Sequence, residues 1–306
     1  MRIKVLSPAT SANLGPGFDT LGLAMQIYNE LEIHTDAAEF TIEVEGAGRA
    51  SLPRDKRSLV YKAIAKVYAA VGKPVPPLRV RQINRIPVAS GLGSSAAAIV
   101  GGLTAANHLL GSPLTQDDLL QLAVEIEGHP DNVAPALLGA VVASGVDSGK
   151  VIWYQIKPAN PPHIVVISPD FPLSTAKARQ VLPKTVPLAD AVHNTSRTAF
   201  LLHCFASGDY RHLRFAMEDR LHQIYRAKLI PGLNDVIDAC YEAGGIGAAL
   251  SGAGPAVIAF VDRAGTKKTA SIAAGMQAAF AKHGVKSKAF ITEICTTGVS
   301  CMECLD

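Results

Sequence analysis

Glycine and small hydroxyl residues crowd the run Pro87-Val88-Ala89-Ser90-Gly91-Leu92-Gly93-Ser94-Ser95-Ala96-Ala97. Glycines let backbone N–H groups turn toward an anion with no side chain in the way. A helix that begins at the serines adds its positive dipole end and its free N–H donors. The run therefore reads as a phosphate cradle, and the Ser95 hydroxyl at the helix start suits a magnesium ion. No lysine follows the last glycine, so this is not a Walker loop. A glycine-rich helix entry built only for close packing is the competing reading.

Further clusters carry polar chemistry. Glu125-Ile126-Glu127-Gly128-His129-Pro130-Asp131-Asn132 gathers carboxylates, an imidazole and an amide at one helix end. Carboxylates suit a hard cation such as magnesium. An isolated histidine is more often structural, but His129 sits between glycine and proline beside acids, which weighs toward function. Pro8-Ala9-Thr10-Ser11-Ala12-Asn13-Leu14-Gly15-Pro16-Gly17-Phe18-Asp19 reads as a polar, turn-rich loop after a first strand. Asn13 and Asp19 there either meet a small polar substrate or merely cap turns. Gly244-Gly245-Ile246-Gly247-Ala248-Ala249-Leu250-Ser251-Gly252-Ala253-Gly254-Pro255 joins a helix to an apolar strand, as a tight turn or as part of a site.

The elements that must hold these groups follow from apolar spacing. Strands are expected over Tyr28–His34, Phe40–Val44 and Leu78–Ile83, with a helix over Ser58–Val71 between the last two. Helices are expected over Ser94–Leu110 and, capped by Thr115, over Thr115–Glu127. A hairpin pairs Gly139–Ser144 with Val151–Ile156 around Asp147-Ser148-Gly149. Lys157-Pro158-Ala159-Asn160-Pro161-Pro162 reads as a linker, because its prolines can continue neither a helix nor a central strand. Beyond it come a strand over Ile164–Ser168, helices across residues 190–243 and a strand over Ala256–Val261. A helix over Thr266–His283 and a strand over Lys288–Ile294 complete the chain. Without a strict alternation of strand and helix, this favours an α+β fold in two domains, residues 1–157 and 158–306.

Composition narrows the function. Of 306 residues, 48% are hydrophobic and 18% charged, which excludes a disordered chain. A net charge of +3 without a block of like charges argues against a nucleic-acid binder. The most apolar stretch, Ala96–Leu110, is interrupted by Thr104, Asn107 and His108 and falls short of the roughly 18 clean residues of a membrane span. A cytoplasmic protein with no membrane partner is expected. The odd count of 5 cysteines argues against a disulfide framework. Cys301-Met302-Glu303-Cys304 with Cys295 lacks a fourth metal ligand, so a mobile tail with free thiols is expected rather than a zinc site.

Taken in order, the four motifs resemble the GHMP-type small-molecule kinases. Pro87–Ala97 matches that superfamily's phosphate loop and Gly247–Pro255 its C-terminal glycine motif. Pro8–Asp19 and the run E-G-H-P-D-N-V-A-P at Glu127–Pro135 resemble the homoserine kinases within it. The resemblance implies a ribosomal-S5-like N-terminal domain that binds ATP and a ferredoxin-like C-terminal domain. It implies that ATP lies on Pro87–Ala97, that Ser95 and Glu127 hold magnesium, with Glu125 the fallback, and that L-homoserine lies between the domains. Asn13, Asp19, His129, Thr175, Arg179, Arg226 and Gly252 would meet that substrate, with Asn132, Asp19 and Arg179 serving catalysis. Asn132 cannot abstract a proton and reads as a positioning group. Asp19 either orients the acceptor hydroxyl or binds the ammonium group. A homodimer is the family-level expectation. Ser58 stands where the family commonly has an asparagine near the adenine. Related kinases of threonine or mevalonate, and a nucleotide-binding protein without catalysis, are the alternatives.

Overall fold

The computed structural model describes residues 1–304. The first sheet begins with β1 (Arg2–Ala12), β2 (Leu21–His34) and β3 (Thr41–Gly46). Helix α1 (Leu59–Ala70) crosses from β3 to its parallel neighbour β4 (Arg79–Asn84). Helices α2 (Ser94–Leu109), α3 (Gln116–Glu127) and α4 (Pro130–Leu138) follow, then the hairpin β5 (Val141–Asp147) and β6 (Lys150–Ile156). Local chemistry sets these ends. The Ser58 hydroxyl accepts from the Tyr61 N–H at 3.1 Å and starts α1. Thr115 and Asp118 cap α3 reciprocally, each side chain accepting from the other's backbone N–H.

Residues 157–162 form no helix or strand. The second sheet is antiparallel throughout and has the order β10-β7-β9-β8. Its elements are β7 (His163–Pro169), α5 (Thr175–Gln180), α6 (Leu188–Ser207), α7 (Leu213–Ala216), α8 (Gln223–Arg226) and α9 (Leu233–Glu242). They continue with β8 (Gly247–Leu250), β9 (Val257–Val261), α10 (Thr269–Lys282) and β10 (Ser287–Thr292).

Period-two alternation divides this sheet between two cores. Val165, Ile167, Val257 and Ala259 pack with Val236 of α9 and with Ile272, Met276 and Phe280 of α10. Ile164, Val166, Ile258 and Phe260 pack with Phe205 of α6 and with Leu14, Leu21, Leu23 and Leu92 from the first half of the chain. One apolar core thus joins the two halves and anchors Leu14 and Leu92, which lie in two of the motif loops.

Several elements depart from expectation. The opening motif is a loop only from Asn13 onward, since Pro8–Ala12 belongs to β1. The missing N–H of Pro8 falls where the β1–β2 register shifts, so a proline fits inside this strand. The acidic run does lie at a helix end, as expected, but a further helix that the sequence reading did not assign begins at once. Gly128 (φ +93°) closes α3, and Pro130 opens α4 at its first position, where a proline loses no hydrogen bond. The second glycine cluster contributes a strand, β8, before its turn. Residues 300–303 are not a free tail. β11 (Ser300–Glu303) pairs with β1, setting Cys301 opposite Val5, and completes a seven-stranded sheet. Its Cys301 packs against the apolar core of the first sheet, which includes Ile3, Val5, Ile99 and Val133; a tail read only for metal spacing does not reveal this.

Candidate active site

The phosphate loop presents donors because its acceptors are already used. The carbonyl oxygens of Ala89, Ser90, Gly91, Leu92 and Gly93 accept hydrogen bonds in turn. Their partners are the N–H groups of Leu173 and Ala256, the Ser251 hydroxyl, and the N–H groups of Thr10 and Ala97, at 2.7–3.1 Å. The N–H groups of Gly91, Leu92 and Gly93 have no partner among the described residues. Those of Ser94, Ser95 and Ala96 are the free donors of the first turn of α2. Such a row of unpartnered N–H groups at a helix N-terminus suits an anion. Two glycines are indispensable to it. A Cβ on Gly91 (φ +84°) would lie 2.2 Å from the Ser251 carbonyl oxygen, and one on Gly93 (φ +67°) 1.9 Å from Thr10 Oγ1. Gly91→Ala is expected to cost about 1–3 kcal/mol of stability and to weaken ADP binding at least about tenfold, because the loop must leave Ser251. Thermal melts and calorimetric ADP titration measure both, and unchanged ADP affinity would contradict the cradle.

The α3–α4 junction brings the acidic run to this helix start. The Ser95 hydroxyl donates to Glu127 Oε1 at 2.8 Å. Burial pushes the Glu127 carboxyl above its usual range, against the opposing pull of Ser95 and His129. Glu125 points elsewhere, to Lys66 Nζ at 2.9 Å. A hydroxyl and a carboxylate beside a phosphate site are hard oxygen donors that fit magnesium, which keeps several waters and takes substrate phosphates as ligands. Among the described residues no group of three or more His, Cys, Asp or Glu side chains could hold a metal by itself. Next along α4, His129 Nδ1 lies 2.8 Å from Asp131 Oδ1, a bond that raises the imidazole against burial. Asn132 Nδ2 donates to the same oxygen at 3.3 Å, and Asn132 Oδ1 accepts from the Thr10 hydroxyl at 2.8 Å.

Charged groups gather at the junction of the two halves. Arg179 grips the Asp19 carboxylate with its two terminal guanidinium nitrogens, at 2.7 and 3.0 Å. Arg226 is only 1% exposed. Its Nε donates to the Ala178 carbonyl oxygen, and its Nη1 donates to Gly252 O and to His222 Nδ1. Its Nη2 has no partner among the described residues, and Arg226 lines the cavity. Burial, then the charge of Arg179, lower Arg226 to about 10, so it stays charged at neutral pH. Asn13 (φ +69°) donates from Nδ2 to Gly252 O at 2.9 Å and accepts the Asp19 N–H at 3.0 Å, which fixes Asp19. Thr175 starts α5 at the rim and lines the same cavity.

These groups face one cavity of about 380 Å³. Sequence reasoning missed the supports behind them. His222 is fully buried and keeps its ring neutral, since Nε2 must donate to Gly15 O at 2.8 Å while Nδ1 accepts from Arg226. Phe18 stacks on His222 and lies within 5.6 Å of the Arg179 and 5.3 Å of the Arg226 guanidinium carbons. Asp19 and Phe18 are neighbours in the opening motif, and His222 precedes Arg226 by one helical turn. That spacing was the available signal.

Residues 58–140 match the family model described as GHMP kinases N terminal domain, and residues 201–285 match GHMP kinases C terminal. The homoserine kinase of Carboxydothermus hydrogenoformans is 48% identical over 288 residues, covering 94% of this chain and 93% of that protein. The homoserine kinase of Moorella thermoacetica is 47% identical over 281 residues, covering 91% and 93%. The crystal structure of homoserine kinase from Cytophaga hutchinsonii superposes with a TM-score of 0.90 at 29% identity, covering 98% of this chain and 97% of that one. The L. major mevalonate kinase structure, at 18% identity and a TM-score of 0.73, shares the fold. With relatives this similar over nearly its whole length, the chain belongs to the homoserine kinases of the GHMP kinase family.

Proposed function

We propose that this enzyme transfers the γ-phosphoryl group of ATP to the side-chain hydroxyl of L-homoserine, giving O-phospho-L-homoserine and ADP, a step of threonine biosynthesis. The observation that carries the reading is one cavity with a row of free N–H donors at one side and the Asp19, Arg179 and Arg226 charges at another. The first suits a nucleotide's phosphates. The second suits an amino acid, whose ammonium group goes to Asp19 and whose carboxylate goes to Arg226 and Arg179. A mevalonate-like acceptor lacks the ammonium group and would leave Asp19 without its second cationic neighbour.

Phosphoryl transfer depends mainly on positioning and charge. The loop amides would hold the β- and γ-phosphates, and Ser95 and Glu127 would hold magnesium, whose charge would offset that of the phosphates. Each carboxylate at the centre already has a partner: Asp19 has Arg179, Asp131 has His129 and Glu127 has Ser95. None stands ready as a strong base. His129, whose Nδ1 is tied to Asp131, turns its other nitrogen to the acceptor, and Asn132 positions it. Asn13, Thr175 and Gly252 shape the substrate end.

We place the division between the nucleotide-binding domain, residues 1–157, and the second domain at the proline-rich segment, with β11 returning to the first sheet. A cytoplasmic homodimer is the assembly we propose, and sedimentation tests it. No helix among the described residues is long and apolar enough to cross a membrane. ADP release with homoserine, threonine, serine and mevalonate as rival acceptors tests the reaction. Turnover with another acceptor and none with homoserine would overturn it.

A further inference from the structure

One buried polar side chain at the cavity has no part in the chemistry above. Gln82 lies on β4, on the same face as the core residue Val80, and is 6% exposed. It lines the cavity together with the apolar side chains of Leu52, Pro53, Leu59 and Val88, which make up its apolar end. A buried amide needs its hydrogen bonds met. Gln82 Nε2 donates to Asn84 Oδ1 at 3.0 Å, and Asn84 Nδ2 donates to the Ala47 carbonyl oxygen at 3.0 Å.

This relay fixes which way both amides face. A carbonyl oxygen can only accept, so Asn84 must turn its NH2 to Ala47 and its oxygen to Gln82. Gln82 must then turn its NH2 to Asn84. Its Oε1 is left over, and it has no partner among the described residues. The cavity's apolar end therefore carries an acceptor of fixed direction. Ser58, at the same end, accepts the Tyr61 N–H through its hydroxyl oxygen and keeps a rotatable O–H donor and one further lone pair, so it sets no fixed donor or acceptor direction.

We infer that Gln82 Oε1 selects the nucleotide base, accepting from the exocyclic amino group of adenine and rejecting guanine, whose corresponding atom is a carbonyl oxygen. The inference rests on the nucleotide reading above, with phosphates on Gly91–Ser95 and the base in the apolar end. A flat heteroaromatic ring fits walls of leucine, valine and proline, and a lone fixed polar atom supplies its specificity. Asn84 does not line the cavity and acts as a positioning residue through Gln82.

Calorimetric titration without acceptor or magnesium tests this directly. The probes are ADP, GDP and purine riboside 5′-diphosphate, which lacks the amino group. Wild-type protein should bind ADP about tenfold more tightly than the purine riboside analogue and GDP more weakly still, as expected for one neutral hydrogen bond and one pair of opposed acceptors. Gln82→Leu should lose about tenfold for ADP and less than about twofold for the analogue. Asn84→Ala, which frees the Gln82 amide to turn over, should narrow the ADP-to-GDP ratio. Equal wild-type affinity for ADP and the analogue, or equal losses for both in Gln82→Leu, would overturn the inference. The ADP-release assay on wild type is independent of these ratios, so a failure of the kinase reading is recognised separately.

Discussion

Glu127→Gln is expected to lower kcat at least about hundredfold while leaving the protein as stable as the wild type or more so. The activity loss follows from position. Glu127 is the carboxylate that meets the Ser95 hydroxyl at the start of α2, 2.8 Å away, beside the free N–H groups of the phosphate loop. A neutral amide there keeps the shape but not the charge that holds a cation. The stability outcome follows from the direction of the Glu127 shift. Burial raises its folded-state pKa above the unfolded one. For an acid this means that stability present at low pH is lost as pH rises through the folded value. Glutamine removes that loss, so the variant should gain on wild type as pH rises above the ordinary carboxyl range.

Ser95→Ala should act on the same unit, lowering kcat more than it raises KM for homoserine. Because the two side chains touch, the double variant should lose little more than Glu127→Gln alone. Steady-state kinetics across magnesium concentrations and thermal melts across pH read these effects. A kcat within twofold of wild type in either variant, with unchanged magnesium dependence, would reduce the pair to a helix-start contact.

What the sequence revealed of this site depended on whether the signal was local. Ser58 as a cap, Thr115 with its capping box, and the entry of α2 at Ser94 are all matters of a few adjacent residues, and the structure has them. The β5–β6 hairpin and the strands around residues 164 and 258 followed from apolar alternation. Elements whose identity depends on distant partners were harder. β11 is a strand because β1 offers it an edge, and α4, a short helix with Pro135 inside it, was not assigned from the sequence. Within the site, the motif glycines were legible as a cradle, but the reason it presents N–H groups was not. That reason is that Thr10, Leu173, Ser251 and Ala256, spread over most of the chain, use the loop's carbonyl oxygens. His222 and Gln82 were equally hidden, since a buried histidine or glutamine has no periodic signature until its partners are seen.

Replacing Arg226 or Arg179 by leucine should lower kcat/KM for homoserine at least about tenfold, and the loss should depend on the substrate's carboxylate. Arginine binds a carboxylate through a planar fork, and each charged hydrogen bond of this kind is worth about 1.5–3 kcal/mol. Arg226 is prepared for that role. His222, Ala178 and Gly252 occupy its Nε and Nη1, and its Nη2 has no partner among the described residues. Arg179 is held differently, since Asp19 takes both of its terminal nitrogens. A zwitterion can replace that pair with two matched contacts, its ammonium at Asp19 and its carboxylate at the arginines. Neither protein charge is then left buried and unpaired, which would be costly. L-homoserine amide keeps the ammonium and hydroxyl groups but lacks the negative charge, so it should be a poor substrate for wild type. The amide should lose less than homoserine does on Arg226→Leu. Because Arg226 also ties Gly252 and Ala178, a melt must show the variant folded, and comparing two substrates on one variant cancels a general loss of active protein. If Arg179 faces the γ-phosphate instead, its removal should fall on kcat with both substrates alike. Equal proportional losses for homoserine and its amide in both variants would remove the arginine–carboxylate contact from the account.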